Sequence, residues 1–264
     1  MENIKQLREM TGAGIVDCKK ALDEAAGDLT KAVEILRKKG IAKAAKRNDR
    51  ETNEGIVMLE VNEASTEGYM IEVDSETDFV SRNEKFQDFT KQILDLVKTS
   101  KPATLEELLV VPFNGVTVKE SLETLSGVIG EKLDIKRVAI VTGETVTAYS
   151  HLGGRIGVLV AFNSSVNPEI ATDVAMQVAA ANPKYLVASE VPTEEMDKEK
   201  EIYRALLIKE GKPEAMVDKI VEGKMSKYYS DVCLTEQEYI KDDKKKVKDI
   251  LGGAAITKFV RFSL

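Results

Sequence analysis

Residues 55–61, GIVMLEV, mark the point where the apolar pattern of the chain changes from a helical period to a strand-like one. A second apolar run, YMIEV at 69–73, follows after the polar stretch 62–68. Two runs rich in β-branched and aromatic residues, separated by a short turn-forming stretch, predict a β-hairpin. We therefore expect an antiparallel sheet to begin at residue 55.

The order of elements in this region recurs later in the chain. The hairpin at 55–73 is followed by a predicted helix with apolar residues at helical spacing, and then by a third strand at 136–141. Strands at 145–149 and 156–162 are likewise followed by a polar loop and a helix at 168–181. The recurrence is one of pattern rather than of residue identity, and it predicts two related α+β core subdomains.

The N-terminal stretch predicts three short helices rather than strands. A second helix over 15–25 follows the TGAG break at 11–14, and Asp28 is a good N-cap for a third helix at 30–39. Gly40 is predicted to end that helix. Three short helices form a small bundle that is marginal by itself and able to present one face.

A strongly charged region near the C-terminal end predicts a helical hairpin. Helices at 193–209 and 213–229 are joined by the turn EGKP at 210–213. A narrow apolar seam is expected between them, in which Met196, Tyr203, Leu206 and Leu207 face Met216, Ile220, Val221 and Met225. The hairpin could be a solvated insertion without a function. We favour the alternative, a projecting arm that contacts another molecule.

These patterns together predict an α+β protein with three parts. An N-terminal helical domain occupies 1–54, and core subdomains with antiparallel sheets occupy 55–141 and 142–264. The second subdomain carries the helical hairpin at 193–229 as an insertion.

The stretch TDFVSRNE at 77–84 precedes the helix of the first core subdomain. Ser81 and Glu84 have the spacing of a capping box, which predicts a helix that begins at Ser81 and leaves Asp78 and Phe79 outside it. Val80 is then the apolar residue before the cap, and Phe79 has no local contact. Because most phenylalanines are buried, spacing alone favours ordinary packing for Phe79.

Composition and motifs disfavour catalysis. His151 is the single histidine of the 264 residues, which excludes two-histidine metal motifs within the chain. There is no nucleophile elbow and no phosphate-binding loop of the GxxxxGK[ST] form. We therefore expect a binding protein that is not an enzyme and that needs no metal and no other cofactor.

Charge and cysteine content indicate where such a protein would work. The net charge is -7, aromatic residues make up 5%, and there is no Trp, so we expect no direct contact with nucleic acid. Two cysteines far apart in the sequence are typical of a reducing compartment. Without an apolar leader or a long apolar run, we expect a cytoplasmic protein that does not contact a membrane.

Five stretches, in order along nearly the whole chain, resemble the translation elongation factor Ts family, whose members are the nucleotide-exchange partners of the GTPase elongation factor Tu. They are LREMTGAGIVDCKKAL at 7–22, EVDSETDFV at 72–80, YSHLGGRIGVL at 149–159, KIVEGKM at 219–225 and FVRF at 259–262. The resemblance implies a ubiquitin-associated-like helical domain, two α+β core subdomains and a coiled-coil hairpin. Some members continue past the last core strand with a further helical module, which we expect this chain to lack.

The resemblance also implies which residues touch the partner. The TDFV loop of Thr77, Asp78, Phe79 and Val80 would enter elongation factor Tu, with His151 beside it from the other subdomain. Arg8, Ile15 and Val16 would contact the nucleotide domain of the GTPase. The partner would be bound both with GDP and without nucleotide, and the arm at 193–229 could serve dimerisation or partner contact.

Local reasoning leaves other interpretations open. His151 could be a neutral turn histidine that satisfies backbone groups. Arg8, Ile15 and Val16 could be bundle packing, although adjacent Ile15 and Val16 cannot both lie on one buried stripe. As a whole, the protein could instead be an adaptor that binds through its three helices, or an RNA-binding factor acting through the basic residues at 43–50 and 244–246.

Overall fold

The computed structural model of the chain describes residues 2–264 and combines helices with sheets that pair antiparallel, which confirms the α+β class. The helices are α1 Glu2–Thr11, α2 Ile15–Glu24, α3 Leu29–Ala45, α4 Asp78–Ser81, α5 Glu84–Ser100, α6 Leu105–Val110, α7 Val118–Ile129, α8 Pro168–Ala181, α9 Thr193–Lys209 and α10 Glu214–Val232. The strands are β1 Glu54–Val61, β2 Glu67–Ser75, β3 Pro112–Phe113, β4 Val116–Thr117, β5 Leu133–Thr142, β6 Thr145–His151, β7 Ile156–Phe162, β8 Glu238–Tyr239, β9 Asp242–Lys246 and β10 Ile256–Ser263. No helix between residues 2 and 264 has the length and apolar content needed to cross a membrane.

Two three-stranded sheets carry most of the strand residues. In the first, β2 lies between β1 and β5. In the second, β7 lies between β6 and β10, and both of its neighbours pair with it antiparallel. The predicted strands at 145–149 and 156–162 are therefore confirmed.

The chain divides into two compact units. The first comprises residues up to Met58, Met70–Ala139 and Leu264, and the second comprises Leu59–Tyr69 and Ile140–Ser263. The domain boundaries predicted after residues 54 and 141 stay predictions.

In the first unit, helices α1 to α3 form a small bundle around its own apolar cluster. The buried members of that cluster are Leu7, Ala13, Cys18, Ala21, Leu22, Ala25 and Ala32. The Asp28 side chain accepts a hydrogen bond from the Lys31 N–H at 3.1 Å, which confirms the predicted cap of α3. The predicted stop at Gly40 is wrong, because α3 continues through it to Ala45.

Gly40 lies inside α3, at a close contact with another helix. Helix α3 packs on α7, and the crossing brings the backbone of Gly40 against Gly127. A Cβ built on Gly127 would lie 2.5 Å from the Gly40 Cα, a distance that side-chain carbons do not tolerate. Glycine is needed at Gly127 so that the two helices can approach this closely.

In the second unit, α8 covers the sheet of β6, β7 and β10, and the helical pair α9 and α10 has a separate apolar cluster. The predicted bounds of α8 and α9 are confirmed. Six of the predicted seam residues lie in this cluster or against it: Met196, Tyr203, Leu207, Ile220, Val221 and Met225. Leu206 and Met216 are exposed instead, since Val217 and Tyr228 occupy the seam on α10.

The base of the helical pair is tied by a carboxylate shared between two tyrosines. The Tyr185 hydroxyl donates to Glu195 Oε2 at 2.6 Å, and the Tyr228 hydroxyl donates to Glu195 Oε1. These bonds, with the Lys184 ammonium 3.6 Å away, lower the pKa of Glu195. Helix α9 is thereby joined to α10 and to the segment that precedes α9.

The contact between α3 and α7 can be tested with two facing glycines. Gly127→Ala should lower the free energy of unfolding by about 1–3 kcal/mol, because its Cβ would collide with backbone atoms that cannot rotate away. Gly40→Ala is the matched control, since its Cβ would meet Thr124 only at 3.8 Å. Urea unfolding of both variants measures the difference, and equal stability of the two would contradict this account of the packing.

Candidate functional site

Phe79 lies on the single-turn helix α4, directly after the central strand β2. Its side chain is 84% exposed, more than any other large apolar side chain among residues 2–264. Ordinary packing, which spacing alone favoured, is therefore wrong for this residue. The next residue, Val80, is buried, and neighbouring positions in one helical turn point in different directions, so only one of the two can face the core.

The helix after this turn begins later than the sequence predicted. Ser81 does not cap it, because the Ser81 hydroxyl donates to the Asp78 carbonyl at 3.0 Å inside α4. Asn83 is the cap of α5, and its side chain accepts from the Lys85 N–H at 3.0 Å. Asp78 and Phe79 thus lie outside α5, as predicted, and belong to a short helix of their own.

The other residues of the TDFV turn are held by polar contacts. The half-buried Asp78 pairs with Arg82 at 3.0 Å, one turn further on. Thr77 stands at the N-cap of α4, yet its hydroxyl makes no cap bond, since it donates to Glu131 Oε1 at 2.7 Å. The Thr77 N–H donates to Glu131 Oε2 at 3.0 Å.

The residue before Thr77 makes the reverse contact, in which its carboxylate accepts from the backbone N–H of the residue after Glu131. The Lys132 N–H donates to Glu76 Oε1 at 2.6 Å, and Arg50 Nη1 lies 3.1 Å from the same carboxylate. These donors, the backbone one first, lower the pKa of Glu76. We call the four residues Glu76, Thr77, Glu131 and Lys132 the clasp. Sequence reasoning missed it because its two halves are far apart in the chain and neither half carries a motif.

The N-terminal candidates lie on the helical bundle. Ile15 is 57% exposed and Val16 is 65% exposed, so neither serves the bundle core. Arg8 is exposed as well, near the end of α1. The alternative that these three residues are bundle packing is therefore wrong.

His151 is the last residue of β6, in the second unit. Its ring stacks on Tyr149 with centroids 5.8 Å apart, and its Nδ1 lies 3.0 Å from the Tyr149 hydroxyl. Among residues 2–264, the contact shown for the imidazole is with the Tyr149 side chain. The predicted site residues thus occupy three places: the TDFV turn, the helical bundle, and the end of β6.

Asp74, near the end of β2, is a buried carboxylate just before the clasp. It is only 5% exposed, and its Oδ1 has no hydrogen-bond partner among residues 2–264. Burial, and then the nearby carboxylates of Glu72 and Asp134, raise the pKa of Asp74 to about 7, against the opposing charges of Lys136 and Arg137. The protein therefore holds an acid here that changes its charge near neutral pH.

Comparison with known proteins gives one consistent match. The family described as elongation factor TS matches residues 76–264. Elongation factor Ts of Clostridium perfringens, in strains SM101, ATCC 13124 and 13, is 46% identical to the chain over 274 aligned residues, which cover 98% of the chain and 90% of the relative. The matched region includes the TDFV turn, the clasp and His151.

The buried Asp74 predicts a pH-dependent stability. The folded protein binds the Asp74 proton more tightly than the unfolded chain does, so this contribution is present in acid and is lost as the pH rises from 3.8 to about 7. Asp74→Asn, which keeps the shape without the charge, should raise the free energy of unfolding at pH 8 by about 2–4 kcal/mol and change it little at pH 4.

Urea unfolding of Asp74→Asn at both pH values measures this difference. Asp88→Asn, a change at an exposed aspartate of α5, is the control and should follow the wild type throughout. An Asp74→Asn variant that parallels the wild type between pH 4 and pH 8 would show that the carboxylate is not strained by burial.

Proposed function

The chain belongs to the elongation factor Ts family, and from this membership and the exposed Phe79 we propose that it is a guanine-nucleotide exchange factor for the GTPase elongation factor Tu. It binds the GDP form, accelerates release of GDP, and leaves a nucleotide-free GTPase that GTP can enter during translation elongation. It does so in the cytoplasm, without covalent chemistry and without a cofactor of its own, and is in this sense a binding protein rather than an enzyme.

The observation that carries this proposal is the solvent exposure of Phe79. A phenylalanine that leaves water for a crevice in a partner contributes roughly 1.5–3 kcal/mol. If the crevice opens only in the GTPase form that holds nucleotide poorly, this free energy favours that form. Coupling is reciprocal, so the factor weakens nucleotide binding as much as nucleotide weakens factor binding.

The remaining candidate residues support the same step. A GTPase holds GDP largely through phosphate contacts and a magnesium ion. We propose that the Asp78–Phe79 turn disturbs these contacts by displacing the segment that provides them, and that His151 also contacts the partner. Exposed Ile15 and Val16, with Arg8, would dock on the nucleotide domain, since exposed apolar side chains are suited to a partner surface.

The finer architecture belongs to this proposal as well. We propose that α1–α3 form a ubiquitin-associated-like domain, that the core consists of two related α+β subdomains, and that α9 and α10 form a coiled-coil arm. The exposed Leu206, Ile208 and Met216 give this arm apolar positions with which it could meet a second copy or the GTPase.

Release of a fluorescent GDP from elongation factor Tu tests the proposal. The wild-type chain should accelerate release, and Phe79→Ala should lower the maximal rate by about ten- to hundredfold, because each 1.4 kcal/mol of lost burial is about tenfold. Thermal unfolding should be unchanged, since the exposed ring stabilises nothing in the free protein.

Val110→Ala is the matched control. Val110 is also an exposed apolar residue of the first unit, at 67%, and its truncation should leave exchange unaffected. If the wild type binds the GTPase without accelerating release, the exchange function is wrong and an adaptor is favoured. If Phe79→Ala matches the wild type, the exchange function stands, but insertion of the Phe79 ring does not drive it.

A further inference from the structure

Helix α4 is too short to hold its own shape. A single turn makes too few internal hydrogen bonds to offset the ordering of its residues, so its geometry must come from contacts to other parts of the chain. The exposed Phe79 ring contributes no packing to it. Val80 and Ser81 are buried and anchor the end of the turn, which leaves the beginning at Thr77 to be fixed by other means.

The beginning of α4 is fixed by one carboxylate. Both oxygens of Glu131 are occupied by Thr77, one by its backbone N–H at 3.0 Å and one by its hydroxyl at 2.7 Å. A forked contact of this kind sets both the position and the orientation of the residue that it holds. Thr77 is the residue from which the path of Asp78 and Phe79 starts.

Glu131 is itself held in place. It follows Gly130, the left-handed C-cap of α7, and the Ser126 hydroxyl donates to its carbonyl. Next to it, Lys132 is fixed through the Glu76 carboxylate and through its own ammonium group, which donates to the carbonyls of Asn48 and Arg50 at 2.9 Å each. The clasp thus ties the exit of β2 to the loop between α7 and β5.

We propose that Glu131 is a positioning residue for nucleotide exchange, which holds the Asp78–Phe79 turn in the geometry that enters the GTPase before the two proteins meet. The proposal rests on the function proposed above and adds a residue to it. Glu131 does not touch the partner in this account; it acts through Thr77. Without it, the turn samples many conformations and only a fraction of molecules is competent to insert.

This role has a kinetic signature. The apparent affinity of a protein that is competent only part of the time falls in proportion to the competent fraction, whereas the bound complex is unchanged. Loss of Glu131 should therefore raise the factor concentration that gives half-maximal GDP release and leave the maximal rate intact. Loss of the Phe79 ring should instead lower the maximal rate, because the ring acts in the bound complex.

The chain contains a matched control for the chemistry of Glu131. Glu120 accepts from the N–H and the hydroxyl of Thr117, at 3.0 and 3.2 Å, and Thr117 is likewise a helix N-cap in the first unit. Glu120→Ala therefore removes a comparable pair of hydrogen bonds, together with an ion pair to Arg37 at 2.8 Å, at a helix start that carries no exposed phenylalanine. A purely structural role for Glu131 predicts that the two alanine variants behave alike.

The experiment is GDP release from elongation factor Tu over a range of factor concentrations, for wild type, Glu131→Ala and Glu120→Ala. We expect Glu131→Ala to raise the half-maximal concentration by about tenfold, as for a turn that is competent about a tenth of the time, with a maximal rate within about twofold of wild type. Glu120→Ala should keep the wild-type half-maximal concentration. A half-maximal concentration that is unchanged in Glu131→Ala, or raised equally in both variants, overturns the proposal.

Two further measurements test the role of Glu131 independently. Amide hydrogen exchange at residues 77–81 of the free protein should be faster in Glu131→Ala and not in Glu120→Ala; equal protection overturns the proposal even if the exchange function itself fails. If Glu131→Ala does not fold, Thr77→Val removes only the hydroxyl half of the contact. It should raise the half-maximal concentration severalfold, and no change would overturn the proposal.

Discussion

Strand β2 is buried from Gly68 to Ser75, and its side chains alternate between the two faces of its sheet. Polar groups on such a strand must find partners or lose their charge. Glu72 pairs with Arg137, the Ser75 hydroxyl donates to the Thr77 carbonyl at 2.9 Å, and burial raises the pKa of Asp74. The chain therefore leaves the sheet along a path fixed by polar bonds, and this path carries Phe79 out into solvent.

A fixed and exposed phenylalanine is of little use to the free protein. An apolar ring that stays in water gives the free protein no stabilisation from burial. The arrangement makes sense when the burial is completed by a partner, because a turn ordered in advance loses less conformational entropy on binding. Ile15 and Val16 follow the same logic on the helical bundle, where two adjacent apolar side chains both face solvent.

Sequence patterns predicted those parts of the fold that depend on neighbours in the chain. Asp28 caps α3 and Pro168 opens α8 as expected, because capping and helix entry are decided within one turn. The errors have a common origin. Gly40 signals a helix end locally, but α3 continues through it and packs its backbone there against Gly127. Ser81 has the spacing of a cap, but its hydroxyl is already used by the preceding turn.

The sequence by itself therefore determined the α+β class, the bounds of α8 and α9, and the family to which the chain belongs, since apolar period, turn residues and signature motifs are all written along the chain. Only the tertiary structure decided that Phe79 is exposed while Val80 is buried. Only the tertiary structure decided as well that Glu131 accepts hydrogen bonds from Thr77, 54 residues away in the chain. Exposure and long-range hydrogen bonds depend on which distant segments meet when the core closes. No local sequence pattern determines which distant segments come into contact.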